Sequence, residues 1–135
     1  MGQTLHLGAP TVIESAAERT PYAALFEDDG KVAYFYGLDT RLGDQVLDAM
    51  HVYNVGTVLD HPTAELDVHE PCDVEIVWSA DQERVALLLN GHPYAAFDFA
   101  AKHAYCKSNF PSTSRWSSAG HAWDDHAVDF LNASM

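Results

Sequence analysis

The chain has 135 residues, 7 of them basic and 20 acidic, for a formal charge of −13 and a pI near 4.7. That length supports one good core but not two ordinary domains, so residues 1–135 read as a single domain, and the 47% hydrophobic share excludes a disordered chain. Such a charge repels nucleic-acid phosphates and anionic membranes, which removes DNA, RNA and lipid as direct partners and favours a basic protein or a cation.

The opening MGQTLHLGAPTVIES has neither a positive n-region nor a long apolar run, so no signal peptide is expected. No segment approaches the roughly 18 apolar residues of a membrane span. Cys72 and Cys106, without CxxC spacing, read as two free thiols in a reducing compartment. The expected location is the cytoplasm.

In chain order, Thr4–Leu7 and Thr11–Ile13 are short β-leaning runs around Gly8-Ala9-Pro10, one interrupted edge strand by expectation. Tyr22–Glu27 and Val32–Gly37 flank Asp28-Asp29-Gly30-Lys31, a hairpin signal. The acids Glu27, Asp28 and Asp29 suggest a cation site, but an acidic turn accounts for them and no calcium-loop spacing follows. Leu42, Val46, Met50 and Tyr53 recur at helical spacing with Asp44, Gln45, Asp48 and His51 pointing away, so an amphipathic helix is expected over 42–53. Val55–Leu59 and Ala64–Val68 read as strands about Asp60-His61-Pro62-Thr63.

The central stretch, Val74–Phe99, reads as a three-stranded meander. Val74, Ile76 and Trp78 alternate on one face, and Arg84–Leu89 is apolar on both faces, as a covered central strand must be. Asn90-Gly91 supplies a type I′ turn, and Pro93 starts the last strand. Residues 100–120 form a long loop with a short helical turn at Ala100–Tyr105, and a second helix is expected over about 122–131, where Trp123, Ala127, Phe130 and Leu131 share a face.

HAWDDHAVDF is the most reactive-looking stretch. On a helix His121 and Asp125 stand four apart and His126 lies beside Asp125, which could aim ligands or an acid/base pair in one direction; Asp98 could orient His103 or His121. Against this, acids in a first helical turn are ordinary dipole chemistry, and HExxH, GxSxG and phosphate-loop patterns do not occur. His61, His69 and Glu70 near Cys72 read more simply as structural or exposed side chains. Tyr105, Trp116, Trp123 and Phe110 could line an apolar pocket under the 107–120 loop or belong to the core. No metal site and no cofactor is expected.

The segments DDGKVAYFYGLD, LDAMHVYNV, VEIVWSADQERVALLLNGHPYAAFDF, YCKSNFP and HAWDD together resemble a family of small bacterial proteins catalogued only as a domain of unknown function, over nearly all of the chain from Tyr22 onward. The resemblance implies a bacterial single-domain protein and brings no activity or catalytic residues with it.

The expected fold is α+β, an antiparallel sheet of five to seven strands with helices at 42–53 and 122–131. The leading functional expectation is a non-catalytic binding or interaction module, engaging a basic protein or a second copy of itself. One alternative is a small-molecule-binding domain with its pocket under the 107–120 loop. The other is a small enzyme using Asp98, His121, Asp125 and His126.

Overall fold

The computed structural model describes residues 3–133 apart from 44, 115 and 117–119. Its nine described strands form two antiparallel sheets. β1 (Gln3–Leu5), β6 (Cys72–Trp78), β7 (Arg84–Leu89), β8 (His92–Asp98) and β9 (His103–Cys106) make a five-stranded sheet in the order β1-β6-β7-β8-β9. β2 (Thr11–Ala16), β3 (Tyr22–Asp28), β4 (Val32–Asp39) and β5 (Gln45–Asn54) make a four-stranded sheet in sequence order. The helices are short: α1 (Val55–Asp60), α2 (Phe130–Ala133) and 3-10 turns at Thr40–Leu42 and Asp125–Val128. The fold is therefore mainly β rather than α+β. No helix among the described residues is long and apolar enough to cross a membrane.

The two sheets pack face to face because each presents an apolar side by the two-residue strand period. Phe26, Phe35 and Met50 come from the four-stranded sheet, and Val74, Val85, Leu87, Leu89 and Phe97 from the five-stranded one, all in one buried cluster. Phe35 and Phe97 meet across the interface with ring centroids 5.3 Å apart. At one end Tyr22 stacks on Phe99 at 4.3 Å, and Trp78 Nε1 donates to Ser15 Oγ at 2.9 Å, linking β6 to β2. The meander 74–99 forms as read. Asn90 and Gly91 both take positive φ, 51° and 82°, as the tight turn requires. β7 is covered on both faces, since Ala86 and Ala96 are buried on the far side beneath Phe130, with Ala127 and Leu131 packed beside them.

Six expectations are corrected. The segment 42–53 is not a helix but the long strand β5. Its pairing with β4 slips twice: Gly37 faces Asp48 while Leu38 faces Val46, and Ala33 faces Tyr53 while Tyr34 faces His51. Leu47 and Val52 are thus the extra residues of two bulges, and each breaks the alternation. Two slips five residues apart convert a period of two into apparent helical spacing. Ahead of β5, Asp39 accepts from Arg41 N at 3.0 Å and caps the Thr40–Leu42 turn.

The expected helix over 122–131 is reduced to a 3-10 turn, capped by Asp124 accepting from His126 N, followed by α2. The 4–7 and 11–13 runs belong to different sheets, β1 at the edge of one and β2 at the edge of the other. Val55–Leu59 is helical as α1, Ala64–Val68 is no strand, and Ala100–Tyr105 leads into β9 instead of a helical turn.

One close approach limits the sandwich. A Cβ on Gly37 would lie 3.1–3.2 Å from the ring atoms of Phe97. Gly37→Ala is expected to lower stability by about 1–3 kcal/mol through overpacking. In a Phe97→Leu background the same substitution should cost less, and an unchanged cost in a denaturant double-mutant cycle would show that the ring is not the obstacle.

Candidate functional site

The first bulge of β5 turns Asp48 toward the interior, opposite Gly37 and beside Met50, and leaves it 8% exposed. A carboxylate placed there must find donors. Asp48 Oδ1 accepts from Ala49 N at 2.9 Å, and Oδ2 accepts from Ser114 Oγ and from His121 Nε2, each at 2.7 Å. His121 is completely buried, and its Nδ1 lies 2.5 Å from the Pro111 carbonyl. The Pro111 carbonyl can only accept, so Nδ1 donates to it; below the folded pKa of the ring Nε2 donates to Asp48 as well and the ring is an imidazolium. Burial alone would pull the His121 pKa down. The Asp48 carboxylate and the Pro111 carbonyl outweigh it and hold the pKa above the ordinary histidine value.

This pair fastens residues 107–114 and 120–121 across the seam between β5 and β9. His51 N donates to Phe110 O and Ser108 Oγ to His51 O, both at 2.9 Å, while Cys106 N donates to His121 O at 2.9 Å. Gly120 is required for the passage: its φ is +74°, and a Cβ there would stand 2.5 Å from the Ser112 carbonyl oxygen.

Between β5 and the crossing segment lies a cleft of about 500 Å³ lined by Val46, Leu47, Asp48, Ala49, Pro111, Thr113 and Ser114. A second hollow of about 380 Å³, on the other side of Phe110, is bounded by Tyr34, His51, Asn54 and Ser108 among others. There His51 Nε2 meets Asn54 Oδ1 at 3.0 Å, and its buried Nδ1 has no hydrogen-bond partner among the described residues.

Serine and aspartate line the cleft with the histidine buried behind them, in an order that matters. The carboxylate is the central member, taking the Ser114 proton and the His121 proton on one oxygen. A nucleophilic serine needs the imidazole beside it with a bare nitrogen. Here both imidazole nitrogens donate, so the group is a charge-pairing and positioning device, not an activated nucleophile.

The family model described as "Uncharacterized protein conserved in bacteria (DUF2251)" matches residues 5–132, nearly the whole chain. The chain belongs to that family. It is also 41% identical over 91 residues to an uncharacterized protein of Haemophilus influenzae, an alignment covering 67% of this chain and 52% of the relative. The chain thus spans about half the length of that relative. No solved structure matches it.

For this DUF2251 member the side chains singled out in the sequence are distributed as follows. His121 is the interior partner of Asp48. Asp125 instead accepts from Trp123 Nε1 at 2.7 Å, and the exposed His126 faces Asp129 Oδ2 at 3.0 Å. Asp98 pairs in register with Arg84 and His103 on the outer side of the five-stranded sheet and accepts from Ala101 N. The four candidates are therefore not brought together.

Nor are the aromatics. Tyr105 stacks on His103 at 4.1 Å on the outer face, Trp116 lies 6.0 Å from Phe97 on the inner side, and Trp123 sits under the Lys107 ammonium at 5.5 Å. Of the three acids at the hairpin, Glu27 accepts from Tyr36, Asp28 is buried, and Asp29 caps the turn. His61, His69 and Glu70 are exposed, while Cys72 is buried, its thiol pushed up to about 11 by burial first and Asp73 second. Among the described residues no three such side chains converge as metal ligands.

Asp48, Ser114 and Pro111 were not singled out by the sequence. Read as a strand, LDAMHVY puts Asp48 on the same face as Met50, and an acid on a core face demands a buried partner. That signal was hidden by the bulged period.

The protonated pair makes stability depend on pH in a definite direction. Because the folded His121 pKa is raised, its contribution is complete below the ordinary value of about 6.5 and is lost as pH rises through the folded value. Removing one partner, as in His121→Ala, leaves the other buried without compensation and should cost roughly 3–5 kcal/mol below that pH. The difference between wild type and variant, followed by urea unfolding across pH, should shrink as pH rises. A difference that stays flat or grows would contradict the charged pair.

By contrast, Asp125→Ala removes only an exposed contact with Trp123. It should shift stability by less than about 0.5 kcal/mol, and thermal unfolding will show a larger loss if Asp125 has a structural partner.

Proposed function

We propose that the protein is a non-catalytic binding domain whose ligand enters the cleft between β5 and residues 111–114. The observation that supports this is the convergence, at one concave site with apolar walls, of the Asp48 carboxylate and the Ser114 hydroxyl from distant parts of the chain, held from behind by the buried His121. Binding sites of this kind combine an apolar body with a few fixed polar groups. Val46, Leu47, Ala49 and Pro111 would receive the apolar part of a ligand, and the Asp48 carboxylate and Thr113 would receive its hydrogen-bond donors. The pair with His121 keeps Asp48 in one orientation before binding, which lowers the ordering cost.

The cytoplasm suits this reading, since Cys72 and Cys106 are both buried as free thiols. An enzyme built on the same residues finds less support, because both nitrogens of the buried His121 are already engaged, by Pro111 O and Asp48.

The test is a fragment screen by saturation-transfer NMR on the full chain, using amides and amines with small aromatic bodies. Hits should perturb the amides of Val46–Ala49 and Ser114, and Ala49→Trp, which fills the cleft, should abolish them. Hits that survive Ala49→Trp, or no hits at millimolar concentration (the weak end of specific binding, about 4 kcal/mol), would refute the site.

A further inference from the structure

The two sheets differ on their outward faces. That of the five-stranded sheet is covered by the C-terminal segment, where Phe130 lies over Ala86 and Ala96 and the Arg84 guanidinium stands 5.2 Å from the Phe130 ring. On the four-stranded sheet, the inward positions of Ile13, Phe26 and Phe35 place Val12, Leu25, Tyr34 and Tyr36 outward. Val12 is 60% exposed, and Leu25, Tyr34 and Tyr36 are only half-buried. The two tyrosine rings lie 6.2 Å apart, and the register sets Leu25 opposite Tyr36 and Glu27 opposite Tyr34.

Two acids share this face. Glu14 stands opposite Leu25, and Glu27 lies between Val12 and Tyr34. The Tyr36 hydroxyl donates to Glu27 Oε1 at 3.0 Å, which fixes that carboxylate on the sheet. Burial and the neighbouring Glu27 push the Tyr36 hydroxyl up to about 12, so it remains a proton donor to the carboxylate throughout the physiological range. None of the β2–β5 positions directed outward here carries Lys or Arg.

An apolar, tyrosine-rich centre with fixed carboxylates has the composition of a recognition surface. Its charge selects the occupant. Two copies of the chain would bring Glu14 and Glu27 against their equivalents, with −13 on each side, which opposes self-association. A partner presenting arginine or lysine around an apolar patch satisfies both features. We infer that the outer face of the four-stranded sheet is a docking surface for a basic protein, with Tyr34 and Tyr36 as its anchors and Glu14 and Glu27 as its charge partners. The face adjoins the cleft, since Ala49 stands opposite Tyr36, and the two readings are told apart by Glu14→Lys, with two strands between it and β5.

The experiment is an amide chemical-shift titration of the full chain with a synthetic peptide alternating arginine and leucine, and with a glutamate-for-arginine version as control. Binding should perturb residues of β2–β4 around Val12, Leu25, Tyr34 and Tyr36, and it should weaken between low salt and physiological salt. Glu14→Lys should weaken it by roughly tenfold. Glu70→Lys, the same charge change at an exposed position outside this sheet, should weaken it far less.

Tyr34→Ser should reduce affinity with the charge unchanged. Its unfolding midpoint is measured alongside, and Tyr34→Phe, which keeps the ring, should retain binding. Equal effects of Glu14→Lys and Glu70→Lys, perturbations centred elsewhere, absence of binding, or self-association of the free chain through this face would each overturn the inference.

Discussion

Two sheets packed face to face leave two open seams, and the way this chain closes them governs most of what surrounds the core. Each seam is held by an aspartate directed inward from the four-stranded sheet. At the β1–β2 crossover Asp28 accepts from Gly8 N at 2.7 Å, Gly30 N at 2.8 Å and Tyr53 Oη at 2.6 Å. At the β5–β9 side Asp48 accepts from Ala49 N, Ser114 Oγ and His121 Nε2. A loop that crosses a hydrophobic seam brings unsatisfied backbone and side-chain donors with it. A carboxylate answers several of them at one point, with charge-assisted bonds stronger than neutral ones. Burial of the acids follows from the topology.

The two fasteners differ in what they cost. Asp28 is satisfied by two backbone amides and a phenol, and burial together with Asp28 itself pushes the Tyr53 hydroxyl far above its ordinary value. Asp48 is matched with a cation. A buried ion pair is often no more stabilising than apolar residues of the same shape. What the pair supplies is position. With Asp48 and His121 held 2.7 Å apart, and Pro111 and Ser114 bound to the same two side chains, residues 111–114 can occupy only a narrow range of heights above β5. The cleft exists because of that spacing.

Legibility in the sequence divides along the same line. The meander 74–99 was readable because its strands alternate without interruption and Asn90-Gly91 specifies its own turn geometry. The β3–β4 hairpin was readable for the same reason. β5 was not, because bulges at Leu47 and Val52 each add a residue that periodicity counts as real. The bulges conceal the site as well: at helical spacing Asp48 falls on a polar face, His121 is left without its partner, and the nearby Asp125 stands in as the natural substitute. Local spacing cannot disclose a bond between residues 73 positions apart. The C-terminal segment shows a milder case. Ala127, Phe130 and Leu131 do share a buried face, but a 3-10 turn and one short helix suffice to present them.

The acidic composition is in part an architectural property. Asp29 accepts from Lys31 N and Val32 N, Asp81 from Ser79 Oγ and Glu83 N, and Asp67, Asp98 and Asp124 each from an amide two or three residues on. Asp29 and Asp81 are held below the usual carboxylate range by these bonds, the Val32 amide contributing most at Asp29 and the Ser79 hydroxyl at Asp81. A chain with many tight connections between strands uses aspartate because its short side chain reaches the free amides of a turn. These charges sit where the turns are, at the ends of the sandwich. Glu14 and Glu27 are of another kind. They lie within strands, among apolar neighbours, where no turn requires an acid and where strand propensity disfavours one. Turn chemistry leaves these two unexplained, and both stand on the outward face of the four-stranded sheet, the face inferred above to dock a basic partner.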